Sequence, residues 1–158
     1  MPPTSRGAPA PRVPPGTRRI RPRPDRITAG YWDAARNHVL AIQRCAECAT
    51  FQHPPQPMCM SCGGPSVAFR PVSGRGRLVS WTTTFHPVVP SLEDELPYVC
   101  LVVALEEQDG LWLVSDLMGR PVEVGSLRQG MPVRAVFDCR VGDLVLPQFV
   151  PVEDRETR

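Results

Sequence analysis

The sequence predicts a mainly β protein that begins with a short helix, continues through a four-cysteine ribbon and ends in a small barrel. Two C-x-x-C pairs, Cys45 with Cys48 and Cys59 with Cys62, are separated by ten residues. After Cys62, short apolar segments alternate with Gly, Pro and Asp turn signals, a pattern typical of antiparallel strands. No long segment beyond that point has the apolar period of a helix. These observations favour a ribbon followed by a barrel.

Length and composition limit the possible classes of protein. The chain has 158 residues, enough for one domain or for a compact domain with a small added module. Hydrophobic residues make up 42% of it, enough for a core, and no apolar run approaches the length of a membrane-spanning helix. No apolar secretory segment occurs near the N-terminus, so we expect a soluble cytoplasmic protein.

Charge and proline are concentrated at the N-terminus. Residues 1–26 contain seven arginines and one aspartate, a net charge of +6, and because the whole chain carries +2 the remainder carries −4. Eight of the twenty prolines lie before residue 25. A segment with so little apolar surface cannot offset the entropy lost on ordering, so residues 1–26 are predicted to be a disordered leader.

A short helix is predicted over residues 27–37. Thr28 can cap it, and Tyr31, Trp32 and Ala35 fall on one apolar side. Aromatic residues in this position are core or interface anchors more often than reactive groups. A strand over residues 38–44 then leads directly into the first cysteine pair.

The two cysteine pairs predict a closed tetrahedral thiolate site. Zinc, at about 2.3 Å from each sulfur, is the usual occupant of such a site, and a closed site is structural because it leaves no position for substrate. Disulfides would require an oxidising compartment, and a redox C-x-x-C would need one pair in a βαβ setting. Iron in the same four sulfurs is a third alternative and would make the protein an electron carrier. The predicted ligands are Cys45, Cys48, Cys59 and Cys62.

Six short strands are predicted after the ribbon. Their approximate ranges are 66–71, 76–85, 98–106, 111–118, 132–139 and 144–149. Asp109-Gly110 is the clearest hairpin turn. Cys100 and Cys139 lie in apolar runs and are predicted to be buried packing thiols. Strands of this number and spacing predict a closed or partly open barrel.

Few residues of the predicted barrel carry recognisable chemistry. Gly74 and Gly76 flank Arg75, but a single G-x-G is weak evidence for a phosphate site, and such glycines more often mark a bulge or a sharply coiled strand. The long segment between Phe85 and Pro97 contains His86, which could act as an acid or base. No nucleophile motif, P-loop or open metal site accompanies it.

The order of the motifs is more specific than any one of them. Along the chain they are Tyr31-Trp32, Gln43 to Cys48, His53-Pro54-Pro55, Cys59 to Cys62, Gly74-Arg75-Gly76, Ser80-Trp81-Thr82, Leu96-Pro97-Tyr98 and Gly130 to Val133. Over residues 27–151 this order closely resembles the DUF35 family of acyl-CoA-associated proteins. The resemblance implies a rubredoxin-like zinc ribbon joined to a five- to six-stranded OB-fold barrel. The expected boundaries are 1–26 leader, 27–37 helix, 38–66 zinc ribbon, 67–151 barrel and 152–158 C-terminal tail.

The resemblance also implies an accessory role. Members of this family partner with thiolase-like enzymes, including sterol-carrier-type thiolases and aldolases, or with MaoC-type hydratases. We therefore expect a hetero-oligomer in which this chain has no activity alone, binds one zinc and helps to form the acyl-CoA site of its partner. Hypothetical acyl-CoA contacts are Arg75, Arg77, Trp81, Phe85, His86 and Trp112; the hypothetical partner contacts are Tyr31 and Trp32. Nucleic-acid binding is the alternative, since OB-folds and zinc ribbons both serve it.

Overall fold

A computed structural model describes residues 22–86, 93, 96–118, 125–141 and 144–152. These ranges contain helix α1 (Ala29–Arg36) and strands β1 (Ala41–Cys45), β2 (Phe51–Gln52), β3 (Val67–Pro71), β4 (Arg75–Thr84), β5 (Tyr98–Leu105), β6 (Trp112–Asp116), β7 (Pro132–Val141) and β8 (Leu144–Pro151). Most of the predicted leader, the segment 87–92 and nearly all of the predicted C-terminal tail lie outside the described residues. Within them, no helix is long and apolar enough to cross a membrane.

The strands form a three-stranded antiparallel sheet, ordered β2-β1-β3, and a five-stranded sheet, ordered β6-β5-β4-β7-β8. The larger sheet curls until its two outer strands meet in a parallel bridge between Leu117 and Phe149. The N–H of Met118 donates to the Phe149 carbonyl at 2.8 Å. The result is a nearly closed five-stranded barrel of the OB type, which confirms the predicted fold class.

The predicted boundary between ribbon and barrel differs from the observed arrangement. Strand β3 was expected to open the barrel at residue 67, but it pairs with β1 from Val67 opposite Cys45 to Pro71 opposite Ala41. It therefore completes the ribbon sheet, and the barrel sheet begins with β4 at Arg75. The sequence signals for a strand are the same in both sheets, so the pattern located β3 without indicating its partner.

Alternation along β5 separates the core of the barrel from its outer surface. Odd-numbered residues such as Leu101 and Val103 are buried, and the even-numbered residues between them are partly exposed. The same core includes Leu40 and Ile42 from the ribbon, so ribbon and barrel share one apolar interior. The core residues of the barrel are Leu78, Val99, Leu101, Val103, Leu105, Leu111, Leu113, Leu127, Val133 and Phe149.

The first barrel strand bends through a close contact and a bulge. A Cβ atom on Gly76 would lie 2.6 Å from the Ala104 carbonyl oxygen, so the approach of β5 requires glycine here. The register then shifts between Leu78 and Ser80. After this shift Trp81 lies opposite Leu101, on the inner face of the sheet, but Leu101 is buried whereas Trp81 is 38% exposed.

Thr28 is the N-cap residue of α1, as predicted, but its side chain makes no capping hydrogen bond to the helix, and Asp25 supplies hydrogen bonds to the preceding turn. Its carboxylate accepts hydrogen bonds from the N–H groups of Ile27 and Thr28 at 3.0 and 2.8 Å. The Thr28 hydroxyl donates to the same carboxylate oxygen and accepts from the Asp25 N–H at 2.9 Å. The hydrogen bond from the Thr28 side chain is the main reason that the pKa of Asp25 lies below its ordinary value. This reciprocal arrangement is that of a capping box, one turn earlier than expected.

One side chain joins the barrel to the free edge of the ribbon. The Gln108 amide, in the turn between β5 and β6, accepts from the Phe51 N–H at 2.8 Å and donates to the Phe51 carbonyl at 3.0 Å. Gln108 thus completes the hydrogen bonding of β2 as a neighbouring strand would.

Replacing Gln108 with Ala should lower the free energy of unfolding by about 1–3 kcal/mol, because both backbone groups of Phe51 lose their partners in a half-buried position. Chemical denaturation measures this change, and Asp109→Ala, at an exposed position in the same turn, is the matched control. Equal stability of the two variants would show that the contact does not couple ribbon to barrel.

Candidate functional site

The four predicted zinc ligands come together at one end of the ribbon. All four sulfur atoms lie within 4.8 Å of one another, with Cys45 and Cys59 buried and Cys48 and Cys62 exposed. Cys45 is the last residue of strand β1. Ala49, just after Cys48, adopts a left-handed backbone conformation (φ 62°) that reverses the chain direction after the first cysteine pair. The Glu47 N–H donates to the Cys45 sulfur at 3.3 Å.

The sulfur spacing fits a tetrahedral metal site. Cys45 Sγ lies 3.7 Å from Cys62 Sγ, and Cys48 Sγ lies 3.5 Å from Cys59 Sγ. Disulfide sulfurs are bonded at about 2.05 Å, whereas four ligands at about 2.3 Å from a tetrahedral zinc lie about 3.8 Å apart. The cluster therefore has the chemistry and spacing of a structural zinc site, as predicted.

Crowding of the sulfurs perturbs their protonation. A hydrogen bond with the Thr50 hydroxyl lowers the pKa of the Cys48 thiol to about 6. At Cys62 a backbone hydrogen bond from Gly64 favours the thiolate, but the neighbouring sulfurs, beginning with Cys48, outweigh it and raise the pKa to about 12. Four close thiolates repel one another, and a bound divalent cation removes that repulsion.

Two buried glutamines for which the sequence predicted no structural role hold the loop between the cysteine pairs. Gln43 and Gln52 lie opposite each other on β1 and β2, and their side chains are hydrogen bonded to each other. Gln43 also bonds the backbone of Gln56, and Gln52 bonds the backbone of Met58 and Met60. In the sequence, only their position close to the first cysteine pair could have indicated this role. That indication is weak, because glutamine is usually exposed.

The residues predicted to contact acyl-CoA do not form one cavity. Arg77 and Trp112 lie on the outer face of the barrel, in one cross-strand row through Ala104. Arg75 lies on the same face, paired with Glu106 at 3.1 Å. Trp81 is on the inner face, as described above. Phe85 and His86 follow the end of β4 and are both exposed.

Apolar side chains cover the outer surface of β5 and β6. We call Val102, Ala104, Trp112 and Val114 the β5–β6 face. Trp112 and Val114 are 54% and 70% exposed, far more than is usual for such side chains. Arg75 and Arg77 adjoin this face, and Arg134 lies directly opposite Arg75 on β7. Trp112 was among the residues predicted from sequence, but Val114 was not. Alternation along a strand does not show which exposed valines lie beside an exposed tryptophan.

The two predicted partner-contact residues are both half-buried. Tyr31 packs against the core, and burial raises its pKa to about 12. Trp32 contacts it edge to face, with ring centroids 5.0 Å apart. Both residues line a surface cavity whose opposite wall includes Val114, so the α1 surface continues into the β5–β6 face.

Cys139 differs from its prediction as a buried thiol, because β7 places it on an exposed surface. Its sulfur lies 3.6 Å from His38 Nε2, and the His38 ring stacks on Phe137 at 5.4 Å. The apolar run that suggested burial is interrupted here by Asp138 and Arg140, and in the alternation of β7 Asp138 is buried while Cys139 faces outward. Cys100 is half-buried rather than enclosed.

Comparison with known proteins supports both parts of this architecture. Residues 32–68 match the family model "ChsH2, rubredoxin-like zinc ribbon domain", and residues 69–138 match "ChsH2, C-terminal OB-fold domain". A structure named "Ltp2-ChsH2(DUF35) aldolase" is similar with a TM-score of 0.73 and 37% identity, covering 83% of this chain and 98% of that one. The fold and the metal site thus define a zinc-ribbon OB-fold protein.

Relatives place this protein in a family. A "DUF35 domain-containing scaffold protein" of Pyrococcus furiosus is 31% identical over 67% of this chain and 74% of its own length. A "Probable enoyl-CoA hydratase alpha subunit" of Thermomonospora curvata is 38% identical over 87% of this chain, which spans only 42% of that subunit. The chain belongs to the DUF35 family.

Proposed function

We propose that this chain is an accessory subunit of an acyl-CoA-handling enzyme, in a hetero-oligomer that works in the cytoplasm. The partner is a thiolase-like enzyme or aldolase, or a MaoC-type hydratase. The main support is the similarity, over 98% of its length, to a DUF35 chain whose structure is named as an aldolase assembly. The hydratase subunit among the relatives supports the same class of chemistry.

The site residues are consistent with such a role. The metal site is closed by four sulfurs, so zinc would hold the ribbon in shape rather than bind substrate. The β5–β6 face exposes Trp112 and Val114 side by side, and a stable partner would remove them from water. Arg75 and Arg77 at its margin could contact the phosphates of CoA, with Trp112 beside them.

The other three hypothetical acyl-CoA contacts do not lie on the β5–β6 face. They are Trp81, Phe85 and His86. Because Trp81 faces inward and the other two follow the end of β4, they could contact the acyl or pantetheine part only at that end of the barrel. Tyr31 would support the partner surface from below, and Trp32 would contact the partner directly.

Co-expression with candidate partners tests the proposal. The candidates are thiolase-like and MaoC-type enzymes sought among the products of the neighbouring genes. We expect one of them to elute with this chain as a stable complex in size-exclusion chromatography. Failure of every such candidate to associate would contradict the proposal.

Nucleic-acid binding has one specific observation in its favour. Arg75, Arg77 and Arg134 share the outer face of the barrel with Trp112, and OB-folds bind single strands with basic and aromatic residues. The net charge of −4 on residues 27–158 opposes it. Tight, salt-dependent binding of single-stranded DNA or RNA by a chain that lacks residues 1–26 would favour this alternative over the accessory role.

A further inference from the structure

A cavity of about 270 Å³ lies between α1 and the outer surface of the barrel, beside the place where β6 and β8 meet. Tyr31 and Trp32 form the wall on the α1 side. The opposite wall comes from strands β5, β6 and β8 and includes Cys100, Val114 and Gln148. The volume is many times the roughly 10–15 Å³ that one water molecule needs, so a single water would leave most of the cavity unfilled.

One hydrogen-bond acceptor in the cavity wall has no partner. Gln148 faces away from the core of the barrel, because its neighbour Phe149 points into that core. Gln148 is only 2% exposed, yet its Oε1 atom makes no hydrogen bond with the described chain. The terminal amide of a glutamine rotates easily, so a small rotation lets this oxygen meet a donor in the cavity. Such a donor would recover the free energy that an unsatisfied buried acceptor costs.

The other polar groups of the wall do not call for a charged occupant. The Ser115 hydroxyl donates to the Pro147 carbonyl at 2.9 Å, and Asp116 already has an interaction within the chain. Burial raises the pKa of the Cys100 thiol, and it raises the pKa of Tyr31 to about 12, so both groups are neutral at physiological pH. The occupant that suits this wall is therefore neutral, mostly apolar, and carries one donor.

We infer that this cavity is a socket for a tryptophan side chain supplied by the partner protein. The indole N–H would donate to Gln148 Oε1, and the ring would pack against Val114 and Trp32. It would extend the edge-to-face pair that Tyr31 and Trp32 already form, with centroids 5.0 Å apart. This inference rests on the proposed function, because the tryptophan belongs to the partner enzyme.

Tryptophan suits the socket better than the other residues that dominate the centres of interfaces, tyrosine and arginine. Its indole has one N–H donor and no acceptor, which matches a single acceptor without a partner. Arginine would bring several donors and a charge that must be desolvated, and tyrosine would bring acceptor lone pairs of its own. The socket also adjoins the exposed Val114 of the β5–β6 face, so one partner surface would cover both.

A pair of model compounds tests the socket without the partner. Skatole is the free side chain of tryptophan, and N-methylskatole is the same ring without the N–H donor. Each is titrated into the full chain labelled with ¹⁵N. We expect skatole to cause saturable shifts at the Gln148 side-chain amide and the Trp32 indole, and N-methylskatole to bind about tenfold more weakly. Equal affinity for the two compounds, or shifts scattered over the surface, would overturn the inference.

Two variants separate the hydrogen bond from the space. Gln148→Met keeps a side chain of similar length without the amide, so skatole and N-methylskatole should bind it with affinities within about twofold of each other. Val114→Phe narrows the cavity from an exposed position, so both compounds should bind at least about tenfold more weakly.

Gln129→Met is the matched control for these variants, because it makes the same change at an exposed position before β7 and should bind both compounds like wild type. Val114→Phe keeps the test valid if Gln148→Met fails to fold. A preference for skatole that persists in folded Gln148→Met, or wild-type affinity in Val114→Phe, would contradict the socket.

The partner complex separates the two proposals. One indole N–H of a ¹⁵N-labelled partner should shift when wild-type chain is added, and folded Gln148→Met should bind that partner about tenfold more weakly. If the partner binds wild type and this variant equally well, the socket is wrong and the accessory role stands. If skatole binds as expected but no candidate partner associates, the accessory role fails and the cavity remains an indole site.

A second copy of this chain is the rival source of the tryptophan, because Trp112 is exposed on the neighbouring β5–β6 face. Analytical ultracentrifugation of the chain alone tests this source. We expect neither Trp112→Ala nor Gln148→Met to change the mass of the wild-type species. A wild-type dimer that both variants dissociate would assign the socket to a second copy and overturn the inference.

Discussion

Replacing Cys48 with Ser should release the zinc and unfold the ribbon. The four sulfurs converge from two loops. Hydrogen bonds of Gln43 and Gln52 also hold the segment between these loops, but a bound metal would link the two cysteine pairs directly. Structural zinc contributes about 10–16 kcal/mol in small zinc-binding peptides, which exceeds or equals the net stability of most domains. We expect the free energy of unfolding to fall by at least about 3 kcal/mol. Metal analysis and denaturation of the purified variant measure both effects.

Cys139→Ser is the matched control for this prediction. It removes an exposed thiol outside the metal cluster, so zinc content and stability should equal those of the wild type. Retention of one tightly bound zinc and of full stability in Cys48→Ser would refute the structural role of this ligand. Strong visible colour in the wild-type protein would instead indicate iron.

Replacing Val114 with Asp should prevent association with the partner without unfolding the barrel. Val114 is 70% exposed and adjoins both Trp112 on the same strand and the cavity beneath α1. A charge in the centre of an apolar contact must be desolvated without a counterion. We expect the dissociation constant to rise by about 30- to 1,000-fold, equivalent to about 2–4 kcal/mol. Isothermal titration with the purified partner measures the change.

Val152→Asp is the corresponding control, because Val152 is also an exposed valine. It lies just after β8, outside the β5–β6 face, and its N–H donates to the Pro132 carbonyl. It should bind the partner with wild-type affinity. If Val114→Asp folds and binds as tightly as this control, the partner does not cover the β5–β6 face.

The most strongly patterned features were predictable from sequence. The four cysteines identified the metal centre because their chemistry and spacing allow few alternatives. Barrel strands followed from alternation and turn residues, as in the Asp109-Gly110 hairpin between β5 and β6. Strand partners were less predictable. Strand β3 completes the ribbon sheet, because pairing depends on the path of the chain rather than on the composition of the strand.

Features that depend on tertiary contacts were not predictable. Gln108 and Gln148 look alike in sequence, yet one completes a strand edge and the other has a buried acceptor without a partner. Arg77 and Trp81 were both predicted to contact acyl-CoA because they are close in sequence. The bulge in β4 between them places their side chains on opposite faces of the sheet. The prediction for Cys139 was wrong because the sequence does not show which face of β7 meets solvent: the charged Asp138 is buried and Cys139 is exposed.

The central claim is that the chemistry resides in a partner enzyme that needs this chain. The most direct measurement is the turnover of an acyl-CoA substrate by the co-purified partner, first alone, then with wild-type chain, and then with Val114→Asp. We predict little activity from the partner alone, none from this chain alone, full activity from the wild-type complex and no recovery with the variant. Equal turnover by the partner with and without this chain would contradict the claim.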